Sequence, residues 1–382
     1  AELTYANNFV AENDELAFSF SDIGTWKYEI DGFSTDQYAA FDVTDPLAVI
    51  RLTGVGALAG SPHKAQFQDE VSSRTDYRVM TGSSYRAVDS ITADTPSSLA
   101  SPSNAVDYIL ITHADFSSAA QAMVDHRASQ GLSTKLVDVQ DIYDEFGYGI
   151  EGVEPIKSFL SHTYTSWPAP APSYVVLLGD ANYDPRNYSG SGRVNYIPTN
   201  LGPWDPFIRE TATDNRYVTL SGSDNLADMM LGRLSVNSPA EAATIVNKII
   251  NYETAPVPGT WGKEVLAVAD MADGAGDFAQ YSDDVLDCCV PDNLIEQKVY
   301  YNVTHTNLAD ARAAIRDGIS AGKFIVNYIG HGWYGGWANV DLLTTNDIPL
   351  LSNGGKLPIV LAMTCQDGYF IHTTPAYESI AE

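Results

Sequence analysis

The sequence predicts an α/β protein with a mostly parallel sheet covered by helices on both faces, preceded by a small all-β domain. Three observations carry this. Five short apolar runs, "VDYILITH", "SYVVLLGD", "EVLAVAD", "KFIVNYIGH" and "LPIVLAMTC", recur between residues 106 and 365, as strands buried on both faces do. Helix-forming stretches separate them, and that alternation builds a parallel sheet. The first ninety residues instead alternate apolar with polar side chains in "LAFSFSD", "TWKYEIDGF", "LAVIRLTGV" and "DYRVMTGSSYRAV". Short strands punctuated by Gly, Asp, Ser and Pro suit a small sandwich.

In order along the chain, residues 1–90 are the β-sandwich-like domain. Residues 91–105, "ITADTPSSLASPSNA", have no periodicity and are rich in Ser, Pro and Ala, which marks a linker. Residues 106–255 and 256–382 are two α/β subdomains, the second ending the sequence incompletely. In the first, "DFSSAAQAMVDHRASQG" is a helix closed by Gly131. "SPAEAATIVNKIINYE" is another, with Ser238 as N-cap, Pro239 in the first turn and Glu241 closing a capping box. In the second, "NLADARAAIRDG" should end at Gly318, and "TTNDIPLLSNGG" is expected as a short helix ending at Gly354.

Composition narrows the function. The chain has 382 residues with 21 basic and 49 acidic side chains, a net charge of −28, yet 45% are hydrophobic. That is a folded protein, since a disordered chain of this charge would be apolar-poor. The acidity argues against nucleic acid and disfavours anionic membrane surfaces as partners, because both are bound by clustered Lys and Arg. No apolar run approaches the roughly 18 residues of a membrane span. An extracellular setting, secreted or cell-surface, is expected. "AELTYANNFV" and "YESIAE" read as processed or truncated ends, so a further C-terminal segment or a second chain is an expected partner. Adjacent Cys288 and Cys289 suit a buried pair, a vicinal disulfide or a bridge to sequence elsewhere, which leaves Cys365 as the candidate free thiol.

All five predicted strands end on a chemically able residue: His113, Asp180, Asp270, His331 and Cys365. In open α/β sheets the ligand crevice lies at the carboxyl ends of the strands. His331 and Cys365 are 365 − 331 = 34 residues apart, room for a crossover that makes their strands neighbours. An imidazole beside a thiol can take its proton and later protonate a leaving amine. Gly332 lets backbone come close, so its N–H could hold an oxyanion together with that of Cys365. Trp333, Tyr334 and Trp337 follow in "HGWYGGW" and are candidates for the substrate-pocket wall. A zinc site through His305, His331, His372 and Cys365 lacks ligand spacing of the usual kinds. Asp270, Asp273 and Asp277 in "DMADGAGDF" could wrap calcium, but without the ordered ligand ladder of an EF-hand.

The stretch "GISAGKFIVNYIGHGWYGGWANVDLLTTNDIPLLSNGGKLPIVLAMTCQDGYF" closely resembles the catalytic segment of the gingipain family of cysteine peptidases. "TDNRYVTLSGSDNLADMMLGRLSVNSPAEAATIVNKIINYE" is similar to that family's Asp-rich strand, Gly-Arg turn and following helix. "LVDVQDIYDEFGYGIEGVEPIKSFL" with "YVVLLGDANYDP" resembles its first α/β unit, especially in the branch that includes the type IX secretion sortases. The resemblance covers about residues 105–382. It implies a caspase-like fold, with Cys365 as nucleophile, His331 as general acid/base, Gly332 as oxyanion contributor and Asp228 as the carboxylate orienting the histidine. It also implies structural calcium, with no cofactor required for the chemistry. The expected function is a secreted cysteine endopeptidase acting on protein or peptide substrates. Thr364 stands where the family has a small residue before the nucleophile. A catalytically idle, peptidase-like surface or scaffold protein, or a sortase-like transpeptidase, is the alternative.

Overall fold

The computed structural model describes residues 8–60, 62–91, 93–203, 210–374 and 377–382. The opening residues 1–7 and Thr92 of the 91–105 segment lie outside the described residues. The chain divides into two compact units, Ala1–Thr95 and Pro96–Glu382.

Among the described residues the first unit contains seven antiparallel strands: β1 (Glu15–Phe20), β2 (Gly24–Phe33), β3 (Tyr38–Asp42), β4 (Ile50–Arg51), β5 (Gly56–Leu58), β6 (His63–Val71) and β7 (Thr75–Thr81). They form two sheets, ordered β1-β7-β3-β4 and β2-β6-β5. Alternate residues of both sheets meet in one aromatic-rich core of Tyr28, Ile30, Phe33, Phe67, Tyr77 and Val79. Polar side chains occupy the intervening positions, which is why the period-2 pattern was readable.

The second unit holds two separate parallel sheets. The first uses β8 (Tyr108–Thr112), β9 (Thr134–Asp138), β10 (Tyr174–Leu178) and β11 (Met230–Leu234) in the order β11-β10-β8-β9. Four helices cover it: α1 (Ser117–Ser129), α2 (Val139–Gly147), α3 (Val153–Ser166) and α4 (Pro239–Thr254). Ile109, Ile111, Val175 and Leu177 face the α2–α3 layer. Tyr108, Leu110 and Leu178 face α1 and α4. With both faces covered, the central strands β8 and β10 had to be mostly apolar, whereas the edge strands β9 and β11 carry Lys135 and Arg233. Ser238 caps α4 by accepting from the Glu241 N–H at 3.2 Å, and Glu241 reaches back to the Asn237 N–H at 2.7 Å.

Two polar clasps tie this layer together. Glu253 of α4 accepts from Arg127 at 2.6 Å and bonds the His126 ring at 2.7 Å, both on α1, and accepts from Gln130, the C-cap residue of that helix, at 2.7 Å. The Arg127 guanidinium, with its neighbours, holds the Glu253 carboxyl down to about 2. A depressed carboxylate stabilises the fold above its ordinary value of 4.5 and loses that contribution as pH falls toward 2. Glu253→Gln is therefore expected to cost about 1 kcal/mol at neutral pH. Thermal melts should show the difference from the parent fading across that acid window.

The "LGR" step of β11 is the second clasp. Arg233 donates to both Asp214 oxygens at 2.7 and 2.9 Å, to Gly179 O at 2.7 Å, to Ile197 O at 2.8 Å and to Pro198 O at 3.1 Å. All five guanidinium N–H groups are thus used. Phe370, five residues after Cys365, lies over the guanidinium at 4.9 Å.

The second sheet takes β12 (Glu264–Ala269), β13 (Ile295–Tyr300), β14 (Ile325–Ile329) and β18 (Ile359–Met363) in the order β13-β12-β14-β18, all parallel. Helix α5 (Phe278–Cys289) covers the face of Val265, Ala267 and Ala269, and α6 (Leu308–Ala321) covers that of Leu266, Val268, Val326 and Tyr328. Between β14 and β18 come three short strands, β15 (Gly332–Trp333), β16 (Gly336–Trp337) and β17 (Leu343–Thr344), forming a small antiparallel sheet. Cys288 and Cys289 at the end of α5 are joined to each other, and Cys365 is free.

Two local expectations need correction. Helix α6 runs past Gly318 and stops at Ala321, capped by Gly322 at φ +98°. Gly318 is buried against β12, where a Cβ would come within 3.2 Å of Leu266, so it serves packing rather than a stop. "TTNDIPLLSNGG" contains only a 3₁₀ turn, Ile348–Leu350, as its helical element, because Pro349 would fall in the interior of a helix spanning the whole segment.

Candidate active site

β14 and β18 pair in parallel with Ile329 opposite Met363. The next residues bring Gly330 N–H to Met363 O at 3.4 Å. His331 and Cys365 therefore leave the carboxyl ends of neighbouring strands in the same register, 34 residues apart throughout the ladder. Cys365 is exposed, and the turn after it passes through Gln366 at φ +61°.

The backbone of His331 is pinned on every side. Its N–H points to Asp270 Oδ2 at 3.4 Å, while its carbonyl accepts from the Tyr328 hydroxyl at 2.5 Å and the Ala338 N–H at 2.6 Å. Asp270 ends β12 and is buried, and that burial raises its pKa above the ordinary value. Gly330 makes this crossing possible: a Cβ there would sit 2.5 Å from both Asp270 Cβ and the Tyr328 hydroxyl. Gly332 is equally constrained, since a Cβ would clash with Thr364 and lie 3.0 Å from Cys365 O. The "GHG" motif is thus two close backbone approaches flanking the His331 side chain.

The imidazole bonds through Nε2 to Asp273 Oδ2 at 2.9 Å. Asp273 sits in a tight turn leaving the carboxyl end of β12, closed by reciprocal backbone bonds with Gly276 of 3.0 and 3.2 Å. Its Oδ1 accepts from Ala275 N–H at 2.8 Å. These backbone and imidazole bonds hold its carboxyl below the usual carboxylate range. The edge of Phe278, the first residue of α5, packs on the imidazole at 5.3 Å between centroids. With Nε2 so engaged, Nδ1 is the ring nitrogen left for proton transfer.

Asp228 is not brought to the histidine. Its Oδ2 accepts from the backbone N–H groups of Leu220 and Ser221 at 2.6 and 2.8 Å, closing the loop before β11. It lies at the amino end of a strand in the first sheet, whereas His331 follows the carboxyl end of a strand in the second. The carboxylate beside the imidazole is Asp273. The usable signal was the "DMADGAGDF" loop, which leaves the strand next to the one delivering His331.

The aromatic loop also divides. Trp333 is partly exposed, with its indole N–H on Asp341 at 3.2 Å, and Tyr334 packs edge-on against Trp333 and Tyr377. Trp337 is buried and stacked on Tyr328, and it lines a cavity together with Leu343, Asp367 and Ile380. The three acids proposed for calcium go separate ways: Asp270 takes backbone N–H groups, Asp273 the imidazole, and Asp277 caps α5 through Gln280 N–H. Among the described residues no three His, Cys, Asp or Glu side chains converge to hold a metal, so this loop does not fit a calcium cage. Asp180 is fully buried on Arg193 and Asn237, and His113 caps a turn through Asp115 N–H, both structural roles.

The fold is of the α/β class with parallel sheets, and in the second of these His331 and Cys365 follow the carboxyl ends of adjacent strands, with Asp273 on the imidazole. The family model for peptidase family C25 matches residues 101–382. The chain belongs to peptidase family C25. It is 24% identical over 263 residues to gingipain R2 of Porphyromonas gingivalis, spanning 66% of this chain and 31% of that one. To Lys-gingipain W83 of the same organism it is 25% identical over 285 residues, 72% of this chain and 14% of that one. The chain thus spans about a third or less of the length of these curated relatives. Its fold is that of the Arg-specific cysteine proteinase gingipain R, with a TM-score of 0.55 and 22% identity across 69% of this chain and 55% of that one. Dimeric latent PorU from Porphyromonas gingivalis is similar at a TM-score of 0.52 and 17% identity, across 65% of this chain and 25% of that one.

Proposed function

We propose that this chain carries the catalytic centre of a secreted or cell-surface cysteine endopeptidase acting on protein or peptide substrates. The observation that carries the proposal is the shared register of His331 and Cys365. Cys365 Sγ attacks the scissile carbonyl as its proton passes to His331 Nδ1, the imidazolium returns that proton to the leaving amine, and water then hydrolyses the thioester. Backbone N–H groups of Gly332 and Cys365 hold the oxyanion. Asp273 fixes the tautomer and steadies the imidazolium. Membership of family C25 supports the peptidase class. The net charge of −28 and the joined Cys288–Cys289 pair support an oxidising, extracellular location. No helix among the described residues is long and apolar enough to cross a membrane.

Alkylation of Cys365 by iodoacetamide, followed by mass spectrometry across pH, tests the activated thiol. Reaction well below pH 8 is expected, and it should disappear in His331→Ala; an ordinary free-thiol profile would reject the mechanism. Asp273→Asn should lower kcat by on the order of 10²-fold, whereas Asp228→Asn should leave turnover unchanged. The reverse ranking would restore Asp228 as the orienting acid. Adding an amine acceptor to the assay separates hydrolysis from transpeptidation by whether a ligated product forms.

A further inference from the structure

We infer that Asp367 and Trp337 are positioning residues, a clasp that holds the turn after the nucleophile against the loop after the histidine. This rests on the peptidase assignment above. Asp367 lies two residues beyond Cys365 and is 9% exposed. Its Oδ2 accepts the Trp337 indole N–H at 2.7 Å. The indole lies flat on the Tyr328 ring, with centroids 4.5 Å apart and planes 5° apart. Tyr328 in turn donates its hydroxyl to the His331 carbonyl at 2.5 Å, and Ala338, next to Trp337, donates its N–H to the same carbonyl at 2.6 Å. A continuous bonded and stacked path therefore runs from the turn bearing Cys365 to the backbone bearing the imidazole. It is separate from the Asp273 contact, which holds the ring from the opposite neighbour strand.

Packing alone does not account for a carboxylate here. Its Oδ1 is buried with no hydrogen-bond partner among the described residues, and burial pushes the carboxyl up to about 6. A half-satisfied buried acid costs stability. What it supplies is a directional acceptor at one point, fixing the indole and with it the spacing of the two reacting groups. Reacting groups displaced by about 1 Å lose on the order of 10²-fold in rate.

The test compares Trp337→Phe, Asp367→Asn and Asp367→Ala with the parent chain in two assays, peptide turnover and the pH profile of Cys365 alkylation. Trp337→Phe keeps a ring over Tyr328 while removing the donor together with part of the indole's volume. It and Asp367→Ala are expected to lower kcat by about 10- to 100-fold with KM within about twofold, because substrate contacts are untouched. Both should shift alkylation toward an ordinary thiol profile. Asp367→Asn keeps an acceptor oxygen and should recover most of both readouts. If Asp367→Ala does not fold, Trp337→Phe decides alone. The clasp is overturned if Trp337→Phe turns over and alkylates like an activated parent, or if Asp367→Asn does no better than Asp367→Ala. An unactivated thiol in the parent itself would instead reject the peptidase assignment.

Discussion

Replacing Cys365 by alanine is expected to abolish cleavage of a mixed peptide library, with kcat falling by on the order of 10⁵-fold or more. No other thiol can substitute, because Cys288 and Cys289 are joined to each other at the far end of α5. The acyl-enzyme itself is observable: intact mass spectrometry of quenched parent enzyme should show a thioester adduct that Cys365→Ala never forms. His331→Ala should fall nearly as far, and the double variant should be no worse than either single one, since the two groups act in one proton-coupled step. Unchanged cleavage by Cys365→Ala would reject the mechanism outright, and would favour an idle scaffold that copurifies with another peptidase.

The second large effect is on stability. Arg233→Ala is expected to destabilise the second unit by about 3–5 kcal/mol, the range for breaking a buried ion pair from one side. Asp214 would be left nearly buried without its cation, and the carbonyls of Gly179, Ile197 and Pro198 would each lose a donor. Arg233→Lys should recover only part of this, because an ammonium cannot reach both Asp214 oxygens and three carbonyls in one plane. Denaturant unfolding checks both variants. Parent-like stability in Arg233→Ala would mean the guanidinium is a decoration of the β10–β11 end rather than its fastening.

How much of the site was legible follows from what each residue depends on. His331 and Cys365 could be found because each closes an uninterrupted apolar run, and strand polarity sends such ends to one edge of a parallel sheet. Gly332 was legible for the same reason, while the equal constraint on Gly330 depends on Tyr328 and on Asp270, the latter 330 − 270 = 60 positions away. Asp228 was chosen by its place in a motif, and Asp273 was taken for part of an acidic loop. Only the strand order β12-β14-β18 puts the loop after β12 beside the imidazole. Trp337 shares a glycine-laced aromatic loop with Trp333, but antiparallel pairing with Gly332 turns it inward onto Tyr328.

By itself, then, the sequence determined five of the parallel strands and the main helices between them, which two residues could do thiol chemistry, and that the chain belongs in an α/β class. Those properties depend on hydrophobic period and on residue type, both local along the chain. The tertiary structure alone decided the order of the strands within each parallel sheet, that Asp273 rather than Asp228 meets His331, and that Trp337 binds Asp367. Each of these is a contact between segments whose spacing in sequence carries no signal, settled only when strand order and register bring the groups within hydrogen-bonding distance.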